Sequence, residues 1–354
     1  MDDPYDEPQR KLATKETIES TRPIPDADSI EVARVRGWDV VVAKGRFQPG
    51  DPCVYIEIDS FLPVDRPAFA FLAPRGVRTN ESGLQGHVLK TIRLRGQVSQ
   101  GLLITMDEYT SSGGFPNPID GSDVSSQLGI TKWDPPIPAS LSGQVRGVFP
   151  KNLARKTDAE RVQNLGGLFQ SELVDLEWEA TEKIDGSSVT YILFGDEFRV
   201  CSRNLELKDT EGNSLWGLAR KLDIEGYLRS FDHHHVVLQG EVYGPGVNAN
   251  RLGVKVVSFS SYFGALVDGS DEQPLPESDH LVASLTVPRL DLPFPTSIDE
   301  AVAQANGLKS AIQPARMAEG VVWNIKGSPL FEVDGDRHRC FKAINNEYLL
   351  KDKS

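Results

Sequence analysis

The chain has 354 residues, with 38 Lys and Arg against 51 Asp and Glu, which gives a formal net charge of −13. Hydrophobic residues are 39% of the total and charged residues 25%, a composition that excludes disordered and fibrous proteins. The length exceeds what one hydrophobic core usually serves, so two domains are expected. No run approaches about 18 uninterrupted apolar residues, which excludes a transmembrane helix. The net acidity argues against a general nucleic-acid coat but is compatible with a local basic groove.

The N-terminal residues 1–8 contain four acids and no apolar segment. They predict a short acidic tail rather than a secretory signal, so a cytoplasmic location is expected. Cys53, Cys201 and Cys340 are odd in number and far apart in the sequence. They therefore predict neither a disulfide framework nor a zinc site.

Residues 9–110 consist mainly of short β-type runs separated by turns rich in Gly and Pro, which predicts a small β-barrel or sandwich. The strand candidates are Trp38–Val42, Val54–Ile58, Val88–Leu94 and Gly101–Met106. Between the acids at 81 and 107 the only charged residues are Lys90, Arg93 and Arg95. This basic run is a candidate surface for nucleic-acid phosphates, and a solvated strand face is the alternative interpretation.

Residues 111–142 are rich in Ser, Gly and Pro and predict an interdomain linker. The following segment carries Arg155, Lys156 and Arg161, which are further candidates for binding nucleic acid. Thr157, with Glu160 three residues later, predicts a capped helix. The rest of 143–354 predicts a second, α+β domain in which a helical segment, 214–231, interrupts a series of strands. The strand candidates are Val189–Phe194, Phe198–Arg203, Val236–Tyr243, Val254–Leu266 and Gly320–Ile325.

The segment 181–187, Thr-Glu-Lys-Ile-Asp-Gly-Ser, places Lys183 between two strand-like stretches, in a turn that Gly186 permits. A Lys nucleophile must lose its proton, and its reference pKa of about 10.4 can be lowered by cationic neighbours and by desolvation. Lys suits attack on phosphorus, because the phosphoramidate that forms is a good donor for a second transfer. Taken by itself, the Lys-x-Asp-Gly tetrapeptide at 183–186 favours a simpler interpretation, a Lys in a polar turn.

Four charged residues further along the chain strengthen the interpretation of Lys183 as a nucleophile. Arg203 follows a β-type run, Glu241 and Glu319 each adjoin an apolar strand, and Lys342 lies in a strand near the C-terminus. A nucleotide triphosphate needs this mixture: cations for the phosphates, one acid for the ribose hydroxyls and another for a divalent metal.

These motifs resemble those of the covalent nucleotidyltransferases, which include the ATP-dependent DNA and RNA ligases and the mRNA capping enzymes. The details are most similar to the Deinococcus-type, nick-sealing branch of the RNA ligases. The similarity rests on segments 182–186, 202–204, 240–246, 319–322 and 341–344 as motifs I, Ia, III, IV and V, and on 149–150, 156–158, 160–164 and 56–63. The resemblance implies an N-terminal OB-like β-barrel and an antiparallel-sheet-rich nucleotidyltransferase domain that is ATP-grasp-like.

The resemblance also implies roles for single residues. Lys183 would attack the α-phosphate of ATP and carry AMP, which then passes to an RNA 5′-phosphate before a 3′-OH seals the strand. Glu319 would hold Mg²⁺ or Mn²⁺, and Lys342 would contact the α-phosphate and lower the pKa of Lys183. The other expected nucleotide-binding residues are Glu182, Asp185, Gly186, Arg203, Glu241 and, stacked on adenine, Phe259, for which Tyr262 and Phe263 are the competing candidates.

Three positions depart from the family pattern. Cys340 stands where many relatives have the first Lys of a Lys-x-Lys pair, and Ser188 stands where some RNA ligases have Asn. The strand candidate 254–266 lacks the usual pairing of an aromatic residue with Asp.

Domain order separates the alternatives within the superfamily. DNA ligases and capping enzymes generally append their OB domain after motif V, whereas here the barrel-like segment comes first and only nine residues follow Asn345. This order favours an RNA ligase that acts on RNA or RNA-containing nicked duplexes. A monomer with no membrane partner is expected. A DNA ligase or GTP-dependent guanylyltransferase, and a non-catalytic nucleic-acid-binding protein, are the alternatives.

Overall fold

The structure, a computed structural model, describes residues 10–80, 82–113, 115–134, 143–276 and 285–351. The expected acidic tail, 1–8, and the last part of the expected linker, 135–142, lie outside these residues. The described residues form two compact units, one made of 10–134 and 349–351 and the other of 143–348. No helix in these ranges is long and apolar enough to cross a membrane.

The first unit is built from short antiparallel strands. Its strands are β1 Ala13–Thr17, β2 Ser20–Pro23, β3 Ile30–Val35, β4 Trp38–Ala43, β5 Pro52–Ile56, β6 Ser60–Pro63, β7 Arg78–Thr79, β8 Gln85–Val88, β9 Ile92–Leu94, β10 Gln97–Ser99, β11 Leu102–Thr105 and β12 Thr131–Lys132. They form sheets in the orders β1-β5-β11, β2-β3-β4 and β12-β6-β8-β7, and β9 pairs with β10 in a hairpin. A 3₁₀ segment, Ala70–Arg75, and two short helices, α1 Met106–Ser111 and α2 Ser125–Leu128, complete the unit.

The expected linker is folded over much of its length, which corrects that prediction. Val124, Leu128 and Ile130 are all buried in the core of the first unit, and β12 pairs with β6. Ser125 also accepts hydrogen bonds from the backbone N–H groups of Leu12 and Ala13. The Ser-, Gly- and Pro-rich composition predicted a linker, although the segment also contains these three apolar residues. Their burial attaches the segment to the core of the first unit.

In the described residues, the second unit contains two large sheets and one two-stranded sheet. Its strands are β13 Val145–Val148, β14 Glu160–Arg161, β15 Trp178–Lys183, β16 Ser187–Phe194, β17 Glu197–Ser202, β18 Leu205–Leu207, β19 His235–Tyr243, β20 Ser258–Asp268, β21 Asp271–Pro274, β22 Arg289–Leu290, β23 Gly320–Ile325, β24 Phe331–Val333, β25 Asp336–His338 and β26 Cys340–Ile344. The seven-stranded sheet has the order β13-β18-β17-β16-β19-β20-β21, and the five-stranded sheet has the order β14-β26-β23-β15-β22. The helices are α3 Ser214–Lys221, α4 Ile224–Arg229, α5 Ile298–Ala305 and α6 Asn346–Leu350.

Alternation along the strands of the five-stranded sheet separates a core face from a polar face. Ala180, Trp323 and Phe341 are buried on one face, where they pack with residues of α5. Lys183 and Lys342 are offset by an odd number of residues from these positions and therefore lie on the opposite face. The face that the core leaves uncovered is the one that carries the predicted site.

Three predicted elements differ from the observed ones. No helix begins at Thr157, whose hydroxyl instead donates to the Tyr262 hydroxyl at 3.0 Å. The predicted helix 214–231 is divided into α3 and α4 at Asp223, which has a left-handed φ of 50°. The predicted strand Val88–Leu94 is likewise two strands, β8 and β9.

Cys53, Cys201 and Cys340 are all free thiols, so none of them forms a disulfide. Burial raises the pKa of Cys53 and of Cys201 to about 12 and that of Cys340 to about 11, so all three stay protonated at neutral pH.

Candidate active site

Lys183 is the last residue of β15, where it lies opposite Gly320, the first residue of β23. Its Nζ donates to Glu319 Oε2 at 2.9 Å, and the two side chains are 24% and 18% exposed. Gly320 is required at this point, since a Cβ there would lie 2.2 Å from the carbonyl oxygen of Ala343. The two charged residues are therefore brought together by the pairing of distant strands, 136 positions apart in sequence.

The electrostatics of Lys183 differ from the expectation. Burial acts to lower the pKa of Lys183, but the carboxylates of Glu319, Glu241 and Asp185 outweigh it, so the pKa is raised. The expected net lowering of this pKa is therefore not observed in the structure, in which acids dominate the surroundings of the amine. Lys183 is an ammonium ion held by Glu319.

Glu241 approaches the same group from the seven-stranded sheet, where it lies on β19 opposite Ser188 of β16. Burial raises the pKa of Glu241 to about 8, and the charges of Glu319 and Asp185 act in the same direction, whereas Lys183 and Arg203 oppose the shift. A carboxyl group in this environment can hold its proton at neutral pH and donate a hydrogen bond as well as accept one.

The turn after Lys183 is packed tightly against β19. A Cβ on Gly186 would lie 2.3 Å from the carbonyl oxygen of Val242, which explains why this position needs glycine. Asn248 Nδ2 donates to the Gly186 carbonyl at 2.5 Å, and the Tyr348 hydroxyl donates to Asp185 Oδ2 at 2.5 Å. Sequence reasoning missed both partners.

Phe259 is not placed to stack on a base, which corrects that prediction. It is only 3% exposed and packs against Tyr191 in the core beneath α3 and α4, with ring centroids 5.4 Å apart. Tyr262 is partly exposed, and its hydroxyl contacts Thr157 and Ser188, each at 3.0 Å.

The register of β20 against β19, which includes a β-bulge, accounts for this difference. Gly240 pairs with Ser261, but its neighbour Gln239 pairs with Phe263, so Tyr262 is the extra residue between them. A bulge re-aims side chains and reverses the alternation of faces beyond it. Phe259 pairs with Val242, which is buried in the same core, whereas Tyr262 lies beside Ser188 and Glu241. Burial, and after it the charge of Glu241, raises the pKa of Tyr262 to about 12.

A strap at residues 155–158 borders the site. The Arg155 carbonyl accepts from Gln239 Nε2 at 2.8 Å, and Lys156 Nζ donates to Asn204 Oδ1 at 2.8 Å. Asp158 accepts two hydrogen bonds from Arg203, both at 2.9 Å.

Two predicted residues have surroundings that the sequence did not suggest. Glu182 is 2% exposed and accepts from the Ala311 N–H at 2.7 Å, and burial raises its pKa. Arg161 is 7% exposed and lies beside Lys342 in the pairing of β14 with β26. The expectation that Arg161 contacts nucleic acid is therefore corrected, because Arg161 is buried in the second unit.

The remaining basic candidates lie in the first unit. Arg93 and Arg95 are exposed and Lys90 is partly buried, at or near the β9–β10 hairpin. Arg95, with a φ of 47°, and Gly96, with a φ of 81°, form the tight turn of that hairpin.

Glu319 offers one carboxylate to a divalent cation. Within the described ranges, no group of three or more His, Cys, Asp and Glu side chains could hold a metal without other ligands. Mg²⁺ is commonly bound by one or two carboxylates together with substrate phosphates and water, so a site at Glu319 fits this donor set.

Comparisons with known proteins agree with this geometry. An OB-fold domain model matches residues 12–106, and an RNA ligase model matches residues 176–344. Naegleria gruberi RNA ligase in complex with pyrophosphate is 37% identical, with a TM-score of 0.82 over 98% of this chain and 99% of that one. The chain belongs to the RNA ligase family. No curated protein sequence matches it significantly.

Two further structures of the Naegleria gruberi RNA ligase carry nucleotides. A variant with AMP and Mn and another with ATP and Mn are each 37% identical to this chain, with a TM-score of 0.83 over 97% of it and 99% of the other chain. Membership of the RNA ligase family confirms the expected fold class, an OB-fold domain followed by a sheet-rich ligase domain.

Proposed function

We propose that the protein is an ATP-dependent RNA ligase that joins a 3′-OH to a 5′-phosphate through a lysyl-AMP intermediate on Lys183. The contact between Lys183 and Glu319 at 2.9 Å supports this proposal most directly, because it unites motif I and motif IV in one cleft. The ATP and AMP complexes of the Naegleria enzyme support ATP as the substrate. A role in RNA repair belongs to the same proposal.

In the first step, the neutral Lys183 amine attacks the α-phosphorus of ATP and a nitrogen–phosphorus bond forms. The bond from the α-phosphorus to the bridging oxygen breaks, pyrophosphate leaves with its electrons, and the nitrogen releases one further proton to solvent. The ammonium proton must first go to solvent. Since Glu319 stabilises the ammonium form, its carboxylate has to be redirected before the amine can react. A divalent cation on Glu319 would neutralise that carboxylate and the phosphate charge together.

In the second step, an oxygen of the RNA 5′-phosphate attacks the phosphorus of lysyl-AMP, and Lys183 leaves as an amine that regains a proton. In the third, the RNA 3′-OH attacks the adenylated 5′-phosphate and AMP leaves. Glu241 is suited to hold the ribose hydroxyls, and Tyr262 to stack on adenine. Lys342, on the polar face of the five-stranded sheet, is suited to bind the triphosphate.

Self-adenylylation tests the proposal. The protein is incubated with α-labelled ATP and Mg²⁺, and the label that stays on the chain is measured on a denaturing gel. We expect label on the wild type and on Lys221→Ala, an exposed lysine of α3 that serves as the control, and none on Lys183→Ala. Label from GTP alone would indicate a guanylyltransferase, and absence of label from any nucleotide would refute the proposal.

The strand preference is a separate proposal. We infer a preference for nicked duplexes with ribonucleotides on the 3′-OH side, because A-form geometry and 2′-OH groups distinguish RNA at such a site. Sealing of matched nicks that end in a ribonucleotide or a deoxyribonucleotide tests it, and equal rates would overturn the inferred preference. Cytoplasmic location and a monomeric state stay predictions.

A further inference from the structure

Two segments far from motif I in sequence hold the turn that follows Lys183. Tyr348 of α6 donates its hydroxyl hydrogen to Asp185 Oδ2 at 2.5 Å, across 163 positions of sequence. Asn248, in the loop after β19, donates to the Gly186 carbonyl at 2.5 Å. Consecutive residues of the nucleophile turn are therefore restrained from two directions.

Tyr348 is itself held firmly in place. Tyr348 is only 8% exposed, and the Arg251 guanidinium lies over the tyrosine ring, 4.7 Å from its centroid. Arg251 Nη1 also donates to the Tyr348 carbonyl at 3.1 Å. Ring and backbone are fixed by the same arginine, so the hydroxyl meets Asp185 in a preset direction.

The restraint has a consequence for the amine. Asp185 is one of the three carboxylates whose charge acts on Lys183, and it lies only two residues away. A carboxylate that is free to rotate could form a second ion pair with the ammonium, in addition to that with Glu319. The Tyr348 hydroxyl occupies one oxygen of Asp185 and so favours a single orientation of the side chain.

We propose that α6 is a positioning element for the nucleophile turn, in which Tyr348 fixes the orientation of Asp185 and thereby that of Lys183. Tyr348 is a positioning residue, since it acts through Asp185. This inference rests on the proposed function, because the reaction that it aids is the adenylylation of Lys183.

Tyr348→Phe is the informative variant, since it removes the hydroxyl but retains the ring beneath Arg251. We expect the rate constant for lysyl-AMP formation at saturating ATP to fall about tenfold, while KM for ATP changes less than about twofold. Hydrogen exchange gives a readout without nucleotide: amides of 184–187 should exchange several-fold faster in the variant, because the turn loses one of its restraints. The matched control is Tyr55→Phe, which removes a buried hydroxyl that donates to the Gln100 carbonyl in the first unit.

A double-mutant cycle with Asp185→Ala tests whether Tyr348 acts on the reaction through Asp185. Once Asp185 is truncated, Tyr348→Phe should change the adenylylation rate by less than about twofold. Unchanged rate and exchange in Tyr348→Phe, or additive losses in the cycle, would overturn the inference. If Tyr348→Phe melts well below the wild type, Arg251→Gln replaces it, and we expect the same changes with smaller size.

Failure of the proposed function gives a different result. In that case the wild type itself takes no label, whereas failure of the inference leaves the wild type labelled and Tyr348→Phe indistinguishable from it.

Discussion

At the scale of single residues, the choice between Tyr262 and Phe259 has a direct test. Tyr262→Leu should raise KM for ATP in self-adenylylation about tenfold, since base–aromatic stacking contributes about 1–3 kcal/mol per base. Tyr262→Phe keeps the ring and should change KM little. Phe259→Leu should leave KM unchanged but lower the melting temperature, because its ring fills the core. A higher KM in Phe259→Leu, with Tyr262→Leu unaffected, would reverse the assignment.

The buried carboxyl of Glu241 predicts a pH dependence of stability. Its pKa in the folded chain is about 8, above the ordinary value of 4.5. Between these values the folded state retains a proton that the unfolded state has lost, so stability falls as pH rises, by at most about 1.4 kcal/mol per pH unit for one proton. The stabilising contribution is complete below the ordinary pKa and is lost as pH rises through about 8.

Glu241→Gln isolates this effect, since an amide has the shape of the protonated acid but does not titrate. The melting temperature of the wild type should fall relative to that of Glu241→Gln as the pH is raised from about 5 to about 8. Glu332→Gln, at an exposed position of β24, is the control and should follow the wild type. Parallel curves for the wild type and Glu241→Gln would contradict the raised pKa.

At the scale of elements, the sequence was sufficient to predict the site residues that stand in a short motif. Lys183, Glu241 and Glu319 were found because each stands in a motif at the end of a strand, and pairing of β15 with β23 then brings two of them into contact. Which aromatic ring faces the site could not be predicted, because it depends on the register of β20 against β19 and leaves no pattern in β20 alone.

Residues that act through long-range contacts were also missed. Tyr348 reaches Asp185 across 163 positions, and Asp158 reaches Arg203 across 45. Neither residue type is unusual at its position in the sequence, and only the folded chain gives it a partner. The docked part of the expected linker was missed for the same reason, since Val124 and Leu128 are ordinary apolar residues until they meet the core.

At the scale of the whole molecule, the net charge is −13, so a nucleic acid would have to bind at a surface that is locally positive. We propose that the β9–β10 hairpin of the first unit supplies this charge through Arg93 and Arg95, both exposed. All residues proposed to handle ATP lie in the second unit. Nucleic-acid affinity and adenylylation should therefore be separable by substitution.

Arg95→Gln tests this separation. Each lost phosphate contact should reduce the slope of log affinity against log salt concentration by about 1, with affinity reduced similarly for all sequences. Lysyl-AMP formation should be unchanged, because every residue proposed to bind ATP belongs to the second unit. Lys44→Gln, an exposed lysine in the same unit, is the matched control and should leave the slope unaltered. Equal slopes for Arg95→Gln and the wild type would favour the alternative that this hairpin is a solvated strand face, and RNA would then have to be bound elsewhere.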